Sequence, residues 1–323
     1  MKQDKKIFWL LVAMMIAGIV AEGVMRLIEA DYSARQNEHR RKLGAVYMTL
    51  NNPFYEIIDE EIRAVVENHG DVLISRDPAL SVERQIAEVK ELIEGGVELI
   101  FINPVDWQEM EPALQAAYQA EVPVIAIDTS VQDDRLIACT VVSDNYEAGV
   151  QCAQHLIAHS AGGKVALLKH ACARSAVDRI RGFRDTLGKY PAFAIVDEEE
   201  CMGQLEFAMP AMEQMLKRHP DIDIVMALND PAALGAIAAL QNAGRLDAVQ
   251  VYGVDGVPET KEMIAAGHMA ATAEQSPRSI GHIAAEQAYD ILAGKGVEKS
   301  HITLPTHLLT RDNISADNIG EWD

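Results

Sequence analysis

Residues 45–75 read AVYMTLNNPFYEIIDEEIRAVVENHGDVLIS, and this stretch decides the fold class. It holds two short apolar runs, Ala45–Thr49 and Asp71–Ser75, on either side of an amphipathic stretch of helical length, Phe54–His69. A strand, a helix and a second strand of these lengths are typical of a right-handed crossover between two parallel strands. The stretch therefore predicts an α/β protein with parallel sheets.

The same alternation continues along most of the chain. About nine strands are too many for one compact open sheet, so we predict two sheets of similar size that divide near Ser143. No long linker rich in glycine, serine or proline separates them, which indicates that short crossing strands join two lobes. The further predicted strands are Glu98–Ile102, Pro123–Ile127, Lys164–Leu168, Ala192–Val196, Ile222–Ala227, Val249–Val254 and Met269–Ala273, and the further predicted helices include Ser81–Gly95, Asp106–Ala120 and Glu147–His159.

The charge balance excludes two classes of partner. The 323 residues include 28 basic and 49 acidic side chains, a formal net charge of −21, and residues 43–323 hold 20 of the basic and 44 of the acidic ones. Nucleic acid and anionic lipid headgroups both require a basic face, so neither is a partner of this surface.

The four cysteines, Cys139, Cys152, Cys172 and Cys201, are too few for a disulfide scaffold, although the sequence leaves open whether they pair.

The first 25 residues predict export from the cytoplasm. A lysine-rich start precedes an uncharged apolar run over residues 7–21, which is typical of a secretory signal peptide. Residues 7–25 are also long enough to span a membrane if they are not cleaved, and the bulky Ile19 disfavours cleavage. We therefore predict a signal peptide or a signal anchor over residues 1–25 and a polar stalk over residues 26–42. The body lies in the periplasm or at the cell surface in both cases.

Polar side chains follow the predicted strands at the points where the strands end. Ligands of open α/β sheets lie outside the carboxyl ends of the strands. Amides and carboxylates suit adjacent hydroxyl groups on a sugar or polyol, and the flat faces of Phe54 and Tyr55 suit its C–H side. Any one Asn or Asp could instead cap the next helix, but six strand ends with the same chemistry favour a binding cleft. The strand-end residues are Asn52, Asn103, Asp128, Asn229, Asp255 and Gln275.

A series of short motifs runs through residues 43–312. They are TLNNPFY at 49–55, INP at 102–104, VIAID at 124–128, SDN at 143–145, SAVDRIRGF at 175–183, ND at 229–230, GVDG at 253–256 and AEQ at 273–275. In order and spacing they resemble the ribose-type periplasmic sugar-binding proteins. The resemblance implies two Rossmann-like lobes, each a parallel sheet flanked by helices, joined by a three-stranded hinge. It places residues 43–143 and 276–304 in the N-terminal lobe, and residues 144–275 and 305–323 in the C-terminal lobe and tail.

The resemblance also implies which residues bind the ligand. Asp128 and Arg179 are expected to grip neighbouring hydroxyls from opposite lobes, because charge-assisted hydrogen bonds are about twice as strong as neutral ones. Thr129, which we include in the site, stands where the ribose binders have an arginine, and Gly203 stands roughly where the family often has an aromatic residue. Both departures argue against ribose itself. The other implied residues are Asn52, Phe54, Tyr55, Asn103, Asn229, Asp255 and Gln275, with Ser143 at a crossing between the lobes.

Enzymatic functions find little support. The chain carries no hydrolase, phosphate-loop or dinucleotide-binding motif, so we predict neither catalytic residues nor a cofactor. Cys152, His155 and His159 share one helix face but lack a fourth metal ligand, and we expect an exposed face rather than a metal site. His170 and Cys172 lack an orienting acid, so we expect them to line the cleft or the core rather than form a nucleophile pair.

The sequence therefore predicts an extracytoplasmic solute-binding protein with a monomeric body. In this prediction the two lobes close on a monosaccharide or a similar polyol, which the protein delivers to the permease of an ABC-type importer. The alternative is a membrane-tethered sugar sensor that signals to a histidine kinase or a chemoreceptor. The two functions share the same fold and ligand site, so the binding residues do not separate them.

Overall fold

The structure, a computed structural model, describes residues 22, 24, 25, 40–297, 300–315 and 319–322. A boundary at residue 41 separates the N-terminal segment from the body of the protein, residues 42–323. The predicted signal peptide or anchor and the predicted stalk lie almost entirely outside the described residues. None of the helices that the structure describes is long and apolar enough to cross a membrane.

Residues 42–323 form two six-stranded sheets. In the first sheet the strand order is β11-β5-β4-β3-β1-β2, where β1 is Lys42–Val46, β2 Val72–Arg76, β3 Leu99–Ile102, β4 Val124–Asp128, β5 Cys139–Ser143 and β11 His301–Leu304. In the second sheet the order is β12-β10-β9-β8-β6-β7, where β6 is Gly163–Lys169, β7 Phe193–Glu200, β8 Ile224–Ala227, β9 Gln250–Asp255, β10 Ala271–Glu274 and β12 His307–Thr310. We call the first sheet with its helices lobe 1 and the second sheet with its helices lobe 2.

Helices cover both sheets. In lobe 1, α1 packs on α9 and α2 packs on α3, and in lobe 2, α4 packs on α5 and α6 packs on α7. The helices are α1 Pro53–Asn68, α2 Val82–Glu94, α3 Glu111–Gln119, α4 Asn145–His159, α5 Arg174–Leu187, α6 Leu205–Arg218, α7 Asp230–Asn242, α8 Pro258–Ala266 and α9 Pro277–Leu292. This covering explains the sequence pattern, because strands β3, β4 and β8 are buried along their whole length and therefore read as apolar runs.

The predicted fold of two α/β sheets is confirmed, with two corrections. The second sheet is not wholly parallel, because β12 pairs antiparallel with β10. In addition, β5, β11 and β12 are absent from the strands predicted above. Strands β11 and β12 each have only four residues, and most of them are exposed or half-buried, so they leave no apolar run for a sequence pattern to detect.

Two predicted elements begin or end at the wrong residue because their backbones have other partners. The first strand ends at Val46 rather than Thr49, since the backbone N–H of Met48 donates to Oδ1 of Asn103 at 3.0 Å. The predicted helix Asp106–Ala120 begins only at Glu111. The residues before it form a loop whose Trp107 N–H donates to the carbonyl of Cys172 at 3.0 Å, which joins lobe 1 to lobe 2.

The topology fixes where a ligand can lie. The strand order reverses between β1 and β3 in lobe 1 and between β6 and β8 in lobe 2. Such switch points leave a crevice at the carboxyl ends of the strands. Within the described residues the chain crosses between the sheets three times, after β5, after β10 and between β11 and β12.

Candidate functional site

A cavity lies between the lobes at the carboxyl ends of the strands. Both lobes contribute to its wall, lobe 1 through the segment after β1 and the end of β4, and lobe 2 through the segments after β6, β7 and β8 and the end of β9. Among its lining residues are seven that the sequence analysis assigned to the site: Asn52, Phe54, Tyr55, Asp128, Arg179, Asn229 and Asp255.

Asp128 is the charged group that lobe 1 places in the cavity. It ends β4 with a φ of 64°, a left-handed backbone that is uncommon outside glycine and recurs at functional sites. Its Oδ2 accepts hydrogen bonds from Nδ2 of Asn103 at 3.1 Å and from the Tyr55 hydroxyl at 3.5 Å. Burial raises the pKa of this carboxyl, and the charge of Arg179 partly opposes the rise.

Arg179 is the cation of the cavity and comes from α5 in lobe 2. Its guanidinium donates from Nε to Oδ1 of Asn145 at 2.7 Å and from Nη1 to the carbonyl of Leu228 at 3.0 Å. Nη1 also lies 3.4 Å from Oδ1 of Asp255. These partners orient the guanidinium before any ligand binds, which reduces the entropy lost on binding.

Asp255 is the second buried carboxyl and ends β9. Nε2 of Gln275 donates to its Oδ1 at 2.8 Å. Burial raises the pKa of Asp255 to about 8, against the opposing charge of Arg179. The cavity therefore combines two carboxyls and one guanidinium with amides and an aromatic face, which is chemistry that suits a compact polyhydroxylated molecule.

We expect Asp255→Asn to gain stability relative to the native protein as the pH rises. The raised pKa means that the folded state keeps a proton on Asp255 that the unfolded chain releases above about pH 4. The stability that this carboxyl contributes is therefore complete below about pH 4 and is lost as the pH rises towards 8. Asparagine does not titrate, so the variant lacks this loss of stability with rising pH.

Thermal unfolding of both ligand-free proteins between pH 5 and pH 8 measures this effect. The Tm of the variant minus the Tm of the native protein should increase with pH. A difference that stays constant over this range would contradict the raised pKa of Asp255.

The remaining predicted residues do not line the cavity wall. Asn103 and Gln275 lie behind it and donate to Asp128 and Asp255. The Thr129 hydroxyl accepts a hydrogen bond from the backbone N–H of Ser175 at 2.9 Å, a contact between the lobes. Ser143 is buried at the crossing after β5, and its Oγ has no hydrogen-bond partner among the described residues.

Two lining asparagines also cap helices, as the sequence analysis allowed. Oδ1 of Asn52 accepts from the backbone N–H of Phe54 at the start of α1, at 3.0 Å. Oδ1 of Asn229 accepts from the backbone N–H of Ala232 at the start of α7, also at 3.0 Å. These bonds hold both asparagines at the cavity wall, so capping and cavity lining occur in the same residues.

His170, which the sequence analysis expected in the cleft or the core but did not assign to the site, is the most distinctive further lining residue. It directly follows β6 at the switch point of lobe 2, is 6% exposed, and its Nε2 has no hydrogen-bond partner within the described part of the chain. Burial lowers the pKa of its imidazole. The rule that polar residues at strand ends line the cleft would have identified it. The other lining residues outside the prediction include Met48, Ser175, Met202 and Gln204.

The two side-chain clusters considered in the sequence analysis lie in different surroundings. Burial and then Asp106 raise the pKa of Cys172 to about 12, which leaves its thiol a poor nucleophile. The expected exposed face of α4 is wrong for Cys152, which is buried with its Sγ 3.5 Å from the Gly253 carbonyl oxygen. Nδ1 of His155 lies 3.1 Å from the Tyr252 hydroxyl. The four cysteines are free thiols.

The structure shows the lobes in contact along the cavity edge. Nε1 of Trp107 in lobe 1 donates to the carbonyl of Ala171 in lobe 2 at 3.2 Å, and the guanidinium of Arg174 lies 5.0 Å from the centre of the Trp107 ring. Nδ2 of Asn51 lies 3.4 Å from Oε1 of Glu206 on the opposite lobe. These contacts describe a closed cleft.

Comparisons with known proteins give one family. The profile described as a periplasmic binding protein domain matches residues 43–296. The chain is 32% identical over 277 residues to the ribose import binding protein of Bacillus subtilis, which covers 85% of this chain and 89% of that protein. It is 31% identical over 262 residues to the ribose import binding protein of Escherichia coli, which covers 80% of this chain and 87% of that protein.

A solved structure gives the same result. The chain is similar to an ABC transporter solute-binding protein from Mycobacterium smegmatis with bound glycerol, at a TM-score of 0.80 and 31% identity. The match covers 85% of this chain and 95% of that one.

Proposed function

This chain belongs to the periplasmic binding protein family, and on that basis we propose that it is the extracytoplasmic solute-binding protein of an ABC-type sugar importer. The family is one of binding proteins that act outside the cytoplasm. We therefore assign the cavity a binding role without a chemical step. The observation that carries the proposal is the meeting of Asp128 from lobe 1 with Arg179 and Asp255 from lobe 2 in one buried cavity.

The ligand that this cavity favours is a monosaccharide or a similar polyol. Carboxylates accept hydrogen bonds from ligand hydroxyls, and the guanidinium donates to ligand oxygens. Phe54 lines the same cavity and offers a ring face to the C–H side of a sugar. The ligand also needs both lobes, so its binding favours their closure by rigid rotation about the three crossings.

The cavity differs from a ribose site at two positions that the resemblance identified. Thr129 supplies no cation, and its hydroxyl is already bonded to the backbone of Ser175. Met202 and Gly203 line the wall without providing an aromatic ring. Both features favour a ligand other than ribose, although the relatives from Bacillus subtilis and Escherichia coli are ribose import binding proteins.

A thermal-shift panel tests the proposal. D-ribose, L-arabinose, D-galactose, D-glucose, myo-inositol and glycerol would each be added to the purified body, with amino acids as the negative class. Binding at 100 times Kd stabilises the folded state by about 2.7 kcal/mol, so the cognate compound should raise Tm by roughly 5 °C or more. A shift with amino acids and none with any sugar or polyol would contradict the proposal.

The sensor alternative has weaker support. The relatives reported above are import binding proteins or components of ABC transporters, and none is a sensor subunit. The alternative rests on the predicted anchor, which falls on residues 7–25, almost all of them outside the described residues. Whether this segment is cleaved stays a prediction of the sequence.

A further inference from the structure

Phe54 lines the ligand cavity, and both its backbone and its ring are held in place by neighbouring residues. Its backbone is fixed at the start of α1 by Pro53 and by the cap from Asn52. Its ring is only 1% exposed and has aromatic neighbours. Tyr55 lies edge-on to it with ring centres 5.8 Å apart, and Trp322 lies tilted at 59° with ring centres 6.1 Å apart.

Trp322 belongs to a segment that lobe 2 holds in place. The backbone carbonyl of the preceding residue, Glu321, accepts a hydrogen bond from Nζ of Lys261 on α8 at 2.9 Å. Lys261 is 2% exposed, and its Nζ also lies 2.6 Å from Oε1 of Glu274, the last residue of β10. A buried ammonium needs such partners to offset its lost hydration, so the carbonyl of Glu321 is a fixed part of this arrangement.

The contact therefore reaches from lobe 2 to an aromatic wall residue of lobe 1. Lys261 and Glu274 hold the segment on the lobe 2 side, and Trp322 packs against Phe54 on the lobe 1 side. The segment also lies beyond residues 43–296, the range that the family profile matches.

We propose that Trp322 is a positioning residue for ligand binding, which acts by holding the Phe54 ring in place against the ligand. This inference rests on the proposed function. A freely rotating Phe54 would have to be ordered when the ligand binds, and the contact with Trp322 removes that cost in advance.

The test compares three variants in calorimetric titrations with the panel compound that gives native protein its largest rise in Tm. We expect Trp322→Ala to weaken affinity by about 3- to 10-fold, the size expected for one aromatic pair. Trp322→Phe keeps a ring at this position and should recover most of the loss. Glu321→Ala is the matched control, because Lys261 contacts only the backbone carbonyl of Glu321 and that carbonyl remains.

A double-mutant cycle separates positioning from a general structural effect. In a Phe54→Leu background the ring that Trp322 holds is absent, so adding Trp322→Ala should change affinity by less than twofold. An equal loss in both backgrounds, or native affinity in Trp322→Ala alone, would overturn the inference and leave the proposed function standing. Native protein that binds no compound of the panel would overturn both.

Discussion

Arg179→Ala and Asp128→Ala should each abolish detectable ligand binding while both lobes stay folded. The two groups approach the cavity from opposite lobes, and both are at least 96% buried. Removing either side chain leaves the ligand hydroxyls that it would bind without their charged hydrogen-bond partner. Truncation of such a buried, hydrogen-bonded charge commonly costs about 2–5 kcal/mol, which corresponds to roughly 30- to 5000-fold in Kd.

Isothermal titration with the cognate compound measures this loss, and circular dichroism checks the fold. Arg181→Ala is the matched control on the same helix, because the Arg181 side chain is 48% exposed and pairs with Asp178 near the surface. Such exposed pairs contribute little to stability. Affinity close to native in either Arg179→Ala or Asp128→Ala would show that the ligand binds elsewhere.

Gly149→Ala should strongly destabilise lobe 2 and weaken binding as well. A Cβ at this position of α4 would lie 1.9 Å from the carbonyl oxygen of Arg179 on α5 and 2.8 Å from the backbone nitrogen of Phe183. Backbone atoms cannot rotate away, so α5 must move and carry Arg179 with it. Overpacking typically costs 1–3 kcal/mol, and we expect about 3 kcal/mol here, a fall in Tm of roughly 6–12 °C.

Urea unfolding and ligand titration of the variant measure the two effects together. Gly188→Ala at the end of α5 is the control, because its Cβ would lie 3.4 Å from the nearest atom, the carbonyl oxygen of Arg184. That variant should keep its stability within about 1 kcal/mol of native. A Gly149→Ala protein with native stability would mean that α4 and α5 do not meet at this glycine.

The fold class can be predicted from the sequence because the burial of a strand determines the residue types within that strand. Strands covered by helices on both faces must be apolar throughout, so β3, β4 and β8 appear as apolar runs whichever partners they have. Strands β11 and β12, each at one edge of its sheet, are not buried in this way and therefore need not be apolar. β11 and β12 are short and half-exposed, and only their pairing with β5 and β10 identifies them as strands.

The sequence predicted that residues at the strand ends form the site, but it did not predict which of them line the cavity and which lie behind it. Asn103 and Asp128 both follow buried strands, yet only Asp128 lines the cavity, and Asn103 donates to it from behind. The two residues look alike in the sequence because both end a strand. Their different distances from the cavity depend on how neighbouring strands stagger.

The sequence by itself determined two α/β sheets and a cleft rich in amides and carboxylates. Buried strands appear as short apolar runs, and the polar residues that follow them mark the strand ends, so both features can be recognised within a few neighbouring residues. The tertiary structure alone decided that burial brings the pKa of Asp255 to about 8 and that Trp322 contacts Phe54. Each of these depends on groups that are distant in the chain and become neighbours only when the lobes fold. Desolvation and side-chain contact arise from that packing, and no local pattern encodes them.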